Sequence, residues 1–286
     1  MSYAFMQHHA PVFSVSAMCR TLEVSRSGYY TWMRGTPSAR AEDDQKLLGH
    51  IRRVHADSRE AYGTRRVWRS LVAEGIACGR HRIARIRREN GIETRRRRRF
   101  KVAITGRHHG WVAPDLVRRH FTASQPDRCW VSDVTFLRTT EGWLYLAITL
   151  DLYSRKVVGW AMSRRNDEDL VMNALRMAVM QRKPEPGLIH HTDRGRVYSG
   201  KNFCRMLQAS GIRPSMSRAG NCYDNACAES FFSSLKNELI YARRLLSRQA
   251  TRTRVFEYIE AFYNRTRLHQ TLGYMSPAAF EAAGCA

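Results

Sequence analysis

Apolar side chains recur along this chain in two rhythms, and the change from one to the other divides it. Before residue 100 the spacing is helical: Val15, Met18, Cys19 and Leu22 fall on one face, and Ser25 is placed to cap a second helix running towards Trp32. Thr64 is expected to cap a helix that holds Val67 and Leu71 and stops at Gly75, and a further helix is predicted over about 79–90, closing at Gly91. Two pairs of short helices joined by tight turns make an all-α region of helix-turn-helix pattern. Over about 100–126 the periodicity lapses among Gly, His, Pro and Arg, as in a linker.

After the linker the rhythm is that of strands. Residues 129–137, 143–151 and 156–162 are predicted to form three consecutive strands joined by tight turns. Asn166 is expected to cap a helix over 167–181, with Leu170, Ala174, Met177 and Ala178 as its buried stripe. A strand over 188–192, a helix over 199–210 stopped by Gly211, a short strand near 212–215 and a long helix over 226–240 follow. The chain closes with a helix over 249–263 and a tail containing Asn264, Arg267, His269 and Pro277. This order predicts an α/β fold: a ribonuclease H-like mixed five-stranded sheet with flanking helices, preceded by the all-α helix-turn-helix region. The expected division is a helical hairpin at 1–40, a helix-turn-helix domain at 41–99, a basic linker at 100–125, the α/β core at 126–245 and a C-terminal helical segment at 246–286.

Charge changes this picture by naming a partner. Forty-eight Lys and Arg stand against 25 Asp and Glu, a formal charge of +23, and the first 120 residues hold 25 of the bases but only 10 of the acids. Such an excess fits double-stranded DNA, since each phosphate neutralised releases condensed counterions. The helix predicted over 79–90 carries Arg80, Arg82, Arg85, Arg87 and Arg88 around an apolar strip of Ile83 and Ile86, so these arginines are the DNA-binding candidates. The arginine run at 95–99 is expected to hold phosphate without choosing a base. Seven scattered cysteines without a C-x-x-C pair argue against zinc and for reduced thiols. With no basic-then-apolar start and no apolar stretch longer than 143–150, the expected location is the cytoplasm, at the nucleoid, with no membrane partner.

The chemistry lies in acids that stand where acids are costly. Asp133 sits inside the apolar, β-branched strand WVSDVTFL, where an unpaired carboxylate is strongly penalised by desolvation. Asp193 follows the fourth strand directly in HHTDRGRVYSG, with Gly195 letting the chain turn away. Glu229 opens the long helix in GNCYDNACAESFFSSLKNEL, separated from Asp193 by 35 residues, room for a helix, a strand and a returning loop. Three converging carboxylates repel one another unless a cation lies among them, and an oxygen-only set favours Mg²⁺ or Mn²⁺. Two such ions suit phosphodiester chemistry, one activating the attacking oxygen and one stabilising the leaving oxygen, with Asp133 as the bridge. Asp151 is assigned to a turn and Asp224 to a cap, while of His190 and His191 one is expected to pack and the other to support the second acid.

These stretches resemble the catalytic core of the retroviral-integrase-type D-D-(35)-E transposases, and most of all the second-reading-frame product of bacterial copy-out, paste-in insertion sequences. AYGTRRVWRSLVAEGI resembles that family's helix-turn-helix segment and YNRTRLHQTLGYMSP its C-terminal signature, while Arg196, Val197 and Cys222 depart from its usual residues. The resemblance implies a catalytic triad of Asp133, Asp193 and Glu229 holding two Mg²⁺ ions, in-line attack by water or a DNA 3′-hydroxyl, and no covalent enzyme intermediate. It also implies that Lys236, about two turns after Glu229, contacts the element's terminal DNA. A homo-oligomer assembled on DNA and a frameshift fusion to an upstream helix-turn-helix protein are further implications. Two other functions share these features: a non-catalytic DNA-binding regulator of transposition, and a ribonuclease acting on RNA–DNA hybrids.

Overall fold

The computed structural model describes residues 2–35, 37–94, 111–217, 226–240 and 246–284. Three short helices, α1 (Ser2–His9), α2 (Val15–Thr21) and α3 (Arg26–Met33), enclose a small core of Met6, Met18, Cys19 and Tyr29. As expected, Ser25 caps α3, its hydroxyl accepting from the Gly28 N–H at 3.2 Å. A nineteen-residue helix that the periodicity did not predict follows, α4 (Ala39–Asp57), capped by Ser38 and burying Leu47, Leu48, Ile51 and Val54. Its first two turns, ARAEDDQ, offer no large apolar residue, so the stripe begins only half-way along.

Helices α5 (Thr64–Ala73) and α6 (Arg80–Glu89) pack on α4. Gly63 occupies the N-cap of α5, and Thr64, expected to be the cap, is already the first helical residue. The core of this helical trio is continuous with that of the sheet: Leu47, Ile51, Val67, Leu71, Ile83 and Ile86 join one apolar cluster with Val131, Ile148, Phe231 and Ile259.

The sheet has five strands: β1 (Cys129–Thr139), β2 (Gly142–Asp151), β3 (Val157–Ser163), β4 (Ile189–Thr192) and β5 (Arg213–Met216). Its order is β3-β2-β1-β4-β5, antiparallel from β1 to β3 and parallel through β4 and β5, a ribonuclease H-like mixed sheet. Alternation along the strands sends Val131, Leu137, Leu146 and Ile148 to one face and Trp130, Ala147 and Val158 to the other. Helix α7 (Glu168–Arg182) and helix α8 (Lys201–Ala209) cover the second face. The α7 cap is Asp167, whose carboxylate accepts from the Leu170 N–H at 3.1 Å, and not the neighbouring Asn166.

Helix α7 lies so close to β3 that a Cβ on Gly159 would collide with the Ala174 carbonyl and stand 2.7 Å from the Ala178 Cβ. Gly159→Ala is therefore expected to destabilise the protein by about 1–3 kcal/mol, as overpacking of a tight contact does. A lowered denaturant midpoint at unchanged slope checks this.

The first face is covered by α9 (Ala226–Leu235) and α10 (Arg248–Glu257), which continue as π turns over Lys236–Ile240 and Tyr258–Tyr263. The C-terminal segment then crosses the open edge of β3. There the Asn264 amide accepts from Val157 N–H and donates to Val157 C=O, both at 3.0 Å, imitating a neighbouring strand. Helix α11 (Pro277–Gly284) brings Glu281 into an ionic cluster with Lys156 and Arg182, at 2.9 and 3.0 Å. Among the described residues no helix is long and apolar enough to cross a membrane.

Candidate active site

Strand register decides where the first two acids meet. Strands β1 and β4 run parallel with Val131 opposite His191, so Asp133 and Asp193 each stand two residues further along at one level of the sheet, Asp133 inside β1 and Asp193 just past the end of β4. Asp133 faces Ile148 of β2 in register and lies on the α9 side of the sheet, the side from which Glu229 enters in the first turn of α9. All three carboxylates are half-buried.

The electrostatics couple them. Asp133 is pushed up to about 8, first by burial and next by the Asp193 charge, with Glu229 adding to the rise. The Val134 N–H, 2.7 Å from Asp133 Oδ1, and the Lys236 ammonium pull the other way. Glu229 is also raised by burial. Lys236 is half-buried, its pKa lowered by desolvation and raised by Asp133, and its ammonium stands 5.0 Å from the centre of the Phe136 ring. Three acids and a lysine thus share one field.

The loop after Asp193 is built around that carboxylate. Asp193 Oδ1 accepts from Gly195 N–H at 2.8 Å, and a Cβ on Gly195 would sit 2.8 Å from the same oxygen. Glycine is needed there for space, since its backbone is in the ordinary extended region. Arg194 ties the loop to the end of β5 by donating to Ser217 C=O at 2.8 Å.

A short 3₁₀ turn, Arg196–Tyr198, then buries Tyr198, which the sequence reading passed over. Its hydroxyl has no hydrogen-bond partner among the described residues, and burial together with the Asp133 and Asp193 charges holds its pKa well above the usual phenol range. An aromatic residue five positions past an acid reads as packing, and only the folded turn brings it to both carboxylates.

The neighbouring histidines bind strands together. His190 Nε2 pairs with Ser132 Oγ at 2.7 Å, and His191 Nδ1 with Ser215 Oγ at 2.8 Å. Burial keeps His190 neutral, lowered to about 3. Asp151 serves the turn after β2, accepting from Ser154 N–H, Ser154 Oγ–H and Asp127 N–H. Asp224 and the arginine run at 95–99 lie outside the described residues.

The arginines of α6 divide into three kinds. Arg80 and Arg88 are exposed. Arg82 and Arg85 are tied to Asp44 of α4, Arg82 Nε at 2.6 Å and Arg85 Nη2 at 2.5 Å. Arg87, expected to reach DNA, is instead buried, donating to Tyr62 C=O at 2.9 Å and Ile92 C=O at 3.3 Å. The reason is spacing: with Ile83 and Ile86 it completes an i, i+3, i+4 stripe, the face that packs on the core.

Two families described as Integrase core domain match residues 123–222 and 210–277, and one described as HTH-like domain matches 42–100. The chain is 42% identical over 284 residues to Transposase InsF for insertion sequence IS3A of Escherichia coli strain K12, covering 98% of both chains. It is 44% identical over 263 residues to the Insertion element IS600 uncharacterized 31 kDa protein of Shigella sonnei, 92% of this chain and 97% of that one. The chain belongs to the IS3 family of insertion-sequence transposases. Among solved structures this transposase is similar to the simian T-cell lymphotropic virus intasome in complex with PP2A regulatory subunit B56 gamma, with TM-score 0.48, 15% identity, and 74% of this chain and 69% of that one covered. It is also similar to the HTLV-2 integrase catalytic core domain in complex with magnesium, with TM-score 0.43, 15% identity, and 55% and 98% covered.

Among the described residues no three His, Cys, Asp or Glu side chains stand ready to chelate an ion as they are. The chemistry of the transposase's donor set still fits a divalent cation: three carboxylates, no nitrogen or sulfur, and one acid raised by burial and then by its like-charged neighbours.

Proposed function

We propose that this transposase catalyses Mg²⁺-dependent cleavage and strand transfer at the ends of its insertion sequence, with Asp133, Asp193 and Glu229 as catalytic metal ligands. The observation that supports this most is the level placement of Asp133 in β1 and Asp193 just past the end of the adjacent parallel β4, with Glu229 and Lys236 in the same field. Bound there, two Mg²⁺ ions, or Mn²⁺ in their place, supply Lewis-acid stabilisation of the attacking and leaving oxygens. Asp133, central among the acids, would be a ligand to the metal. Asp193 is oriented by the Gly195 N–H, and Glu229 completes the set from α9. Lys236 is placed to hold a phosphate beside the scissile one. Arg80 and Arg88, with Arg82 and Arg85 once DNA phosphate competes for them with Asp44, grip duplex DNA through the helical front.

The protein works in the cytoplasm at the nucleoid, as a homo-oligomer on DNA. The upstream helix-turn-helix protein, joined by frameshift, adds recognition of the ends.

Labelled element ends incubated with the purified protein test this reading. Nicking and joining are expected with Mg²⁺ or Mn²⁺ and to vanish in chelator, and Asp193→Asn or Glu229→Gln is expected to remove both while DNA retention persists. Joining that survives chelation overturns the metal assignment, and retention without any chemistry in the unaltered protein favours a regulator.

A further inference from the structure

Strands β1 and β2 run on beyond the rest of the sheet. Strand β4 pairs only as far as Val131↔His191, whereas β1 and β2 stay paired to Thr139↔Gly142. Residues opposite one another share a face, so Phe136, Arg138, Trp143 and Tyr145 lie together on one side of this projecting hairpin. Phe136 and Trp143 are large rings left 51% and 48% exposed, 5.2 Å apart and edge to face. Cations surround them: Lys236 over Phe136, the exposed Arg138, and Arg248, whose Nε donates to Trp143 C=O at 3.3 Å and fastens the hairpin to α10. Asp133 is three residues before Phe136 on the same strand, roughly 10 Å along it and by alternation on the opposite face; Lys236 links the two, its ammonium lying over the Phe136 ring and in the field of Asp133.

Two exposed rings ringed by cations present ring faces to a polyanion, and a nucleic acid strand is the partner that supplies both a π face and negative charge at every unit. Resting on the function proposed above, we propose that Phe136 and Trp143 form a stacking platform for an unpaired base of the DNA strand whose phosphate lies at Asp133, with Lys236 and Arg138 on the flanking phosphates. The platform rewards opening of the last base pairs at a DNA end. A frayed or single-stranded tip is thereby held against the acids in preference to a closed duplex.

The test measures binding without divalent metal, using a blunt duplex and the same duplex with a short single-stranded extension whose first unpaired base is 2-aminopurine. The unaltered protein is expected to bind the extended duplex about tenfold more tightly than the blunt one, with quenching of the 2-aminopurine fluorescence on stacking. The Phe136→Ala/Trp143→Ala double variant is expected to lose the preference and the quenching while binding blunt duplex as before. Phe136→Tyr/Trp143→Phe is expected to keep both. Trp143→Leu, a change at a half-exposed ring, gives a second variant with weakened preference should the double variant fold poorly. The inference is overturned if the unaltered protein shows neither preference nor quenching, or if the alanine variant retains them. Mg²⁺-dependent joining measured on the same substrates separates the two claims: joining without base preference sinks the platform alone, and preference without joining sinks the catalytic reading.

Discussion

Asp133→Asn is expected to lower Mg²⁺-dependent strand joining by at least about a thousandfold, the scale on which removal of a single preorganised charge-stabilising group is felt, while DNA retention stays near normal. The same substitution is expected to raise the stability of the metal-free protein at neutral pH. The sign follows from proton binding: Asp133 is raised to about 8 in the folded protein, against 3.8 when unperturbed. Between those values the folded state holds a proton that the unfolded state has released, so stability falls as pH rises through that window. Asparagine removes the ionisable group and flattens that slope. Added Mg²⁺ is expected to stabilise the unaltered protein by mass action and the variant much less. Denaturant midpoints across pH 4–8, with and without Mg²⁺, check both effects; a variant less stable than the parent in metal-free buffer at pH 7 overturns the electrostatic account.

The second large effect is expected at a buried ion pair that steadies the far end of α9. Arg267, from the C-terminal segment, meets Glu238 at 2.7 Å with both side chains almost wholly buried, and also donates to Ser234 Oγ at 3.0 Å. The Tyr258 hydroxyl donates to Glu238 Oε2 at 2.7 Å. Glu238→Ala leaves a guanidinium without its counter-ion in an apolar setting and is expected to cost about 3–5 kcal/mol. Replacing both partners by methionine removes the stranded charge along with the pair, so the double variant is expected to be the more stable of the two. Because Glu238 lies two residues past Lys236 and nine past Glu229, Glu238→Ala is expected to weaken joining even where the protein remains folded. Urea unfolding of the two variants and the parent measures the difference, and equal losses would remove the stranded-charge explanation.

Much of the fold was legible because its elements obey their periods. The five strands lie within a residue or two of their expected bounds, since apolar alternation and turn residues agree there. Asp133 stood out for the complementary reason, a charge interrupting that alternation. Helix α4 was missed because its apolar stripe starts late, and the cap of α7 fell on Asp167 because Asn166 and Asp167 are both good caps and only backbone geometry chooses between them. The burial of Arg87 was available from its spacing to Ile83 and Ile86, but the predicted apolar strip comprises those two isoleucines alone and leaves Arg87 with the basic face. Tyr198 and the Arg267–Glu238 pair were out of reach of local pattern, because their partners come from distant elements. How strongly a buried group is held depends on neighbours that no local window contains.

The amide of Asn264 has a consequence for solubility. An outer strand with free N–H and C=O groups is a template on which other copies can polymerise, and this chain stoppers the Val157 position of that template with one side chain. Shortened forms ending before Asn264 would uncover a sticky rim, and their natural fate is precipitation.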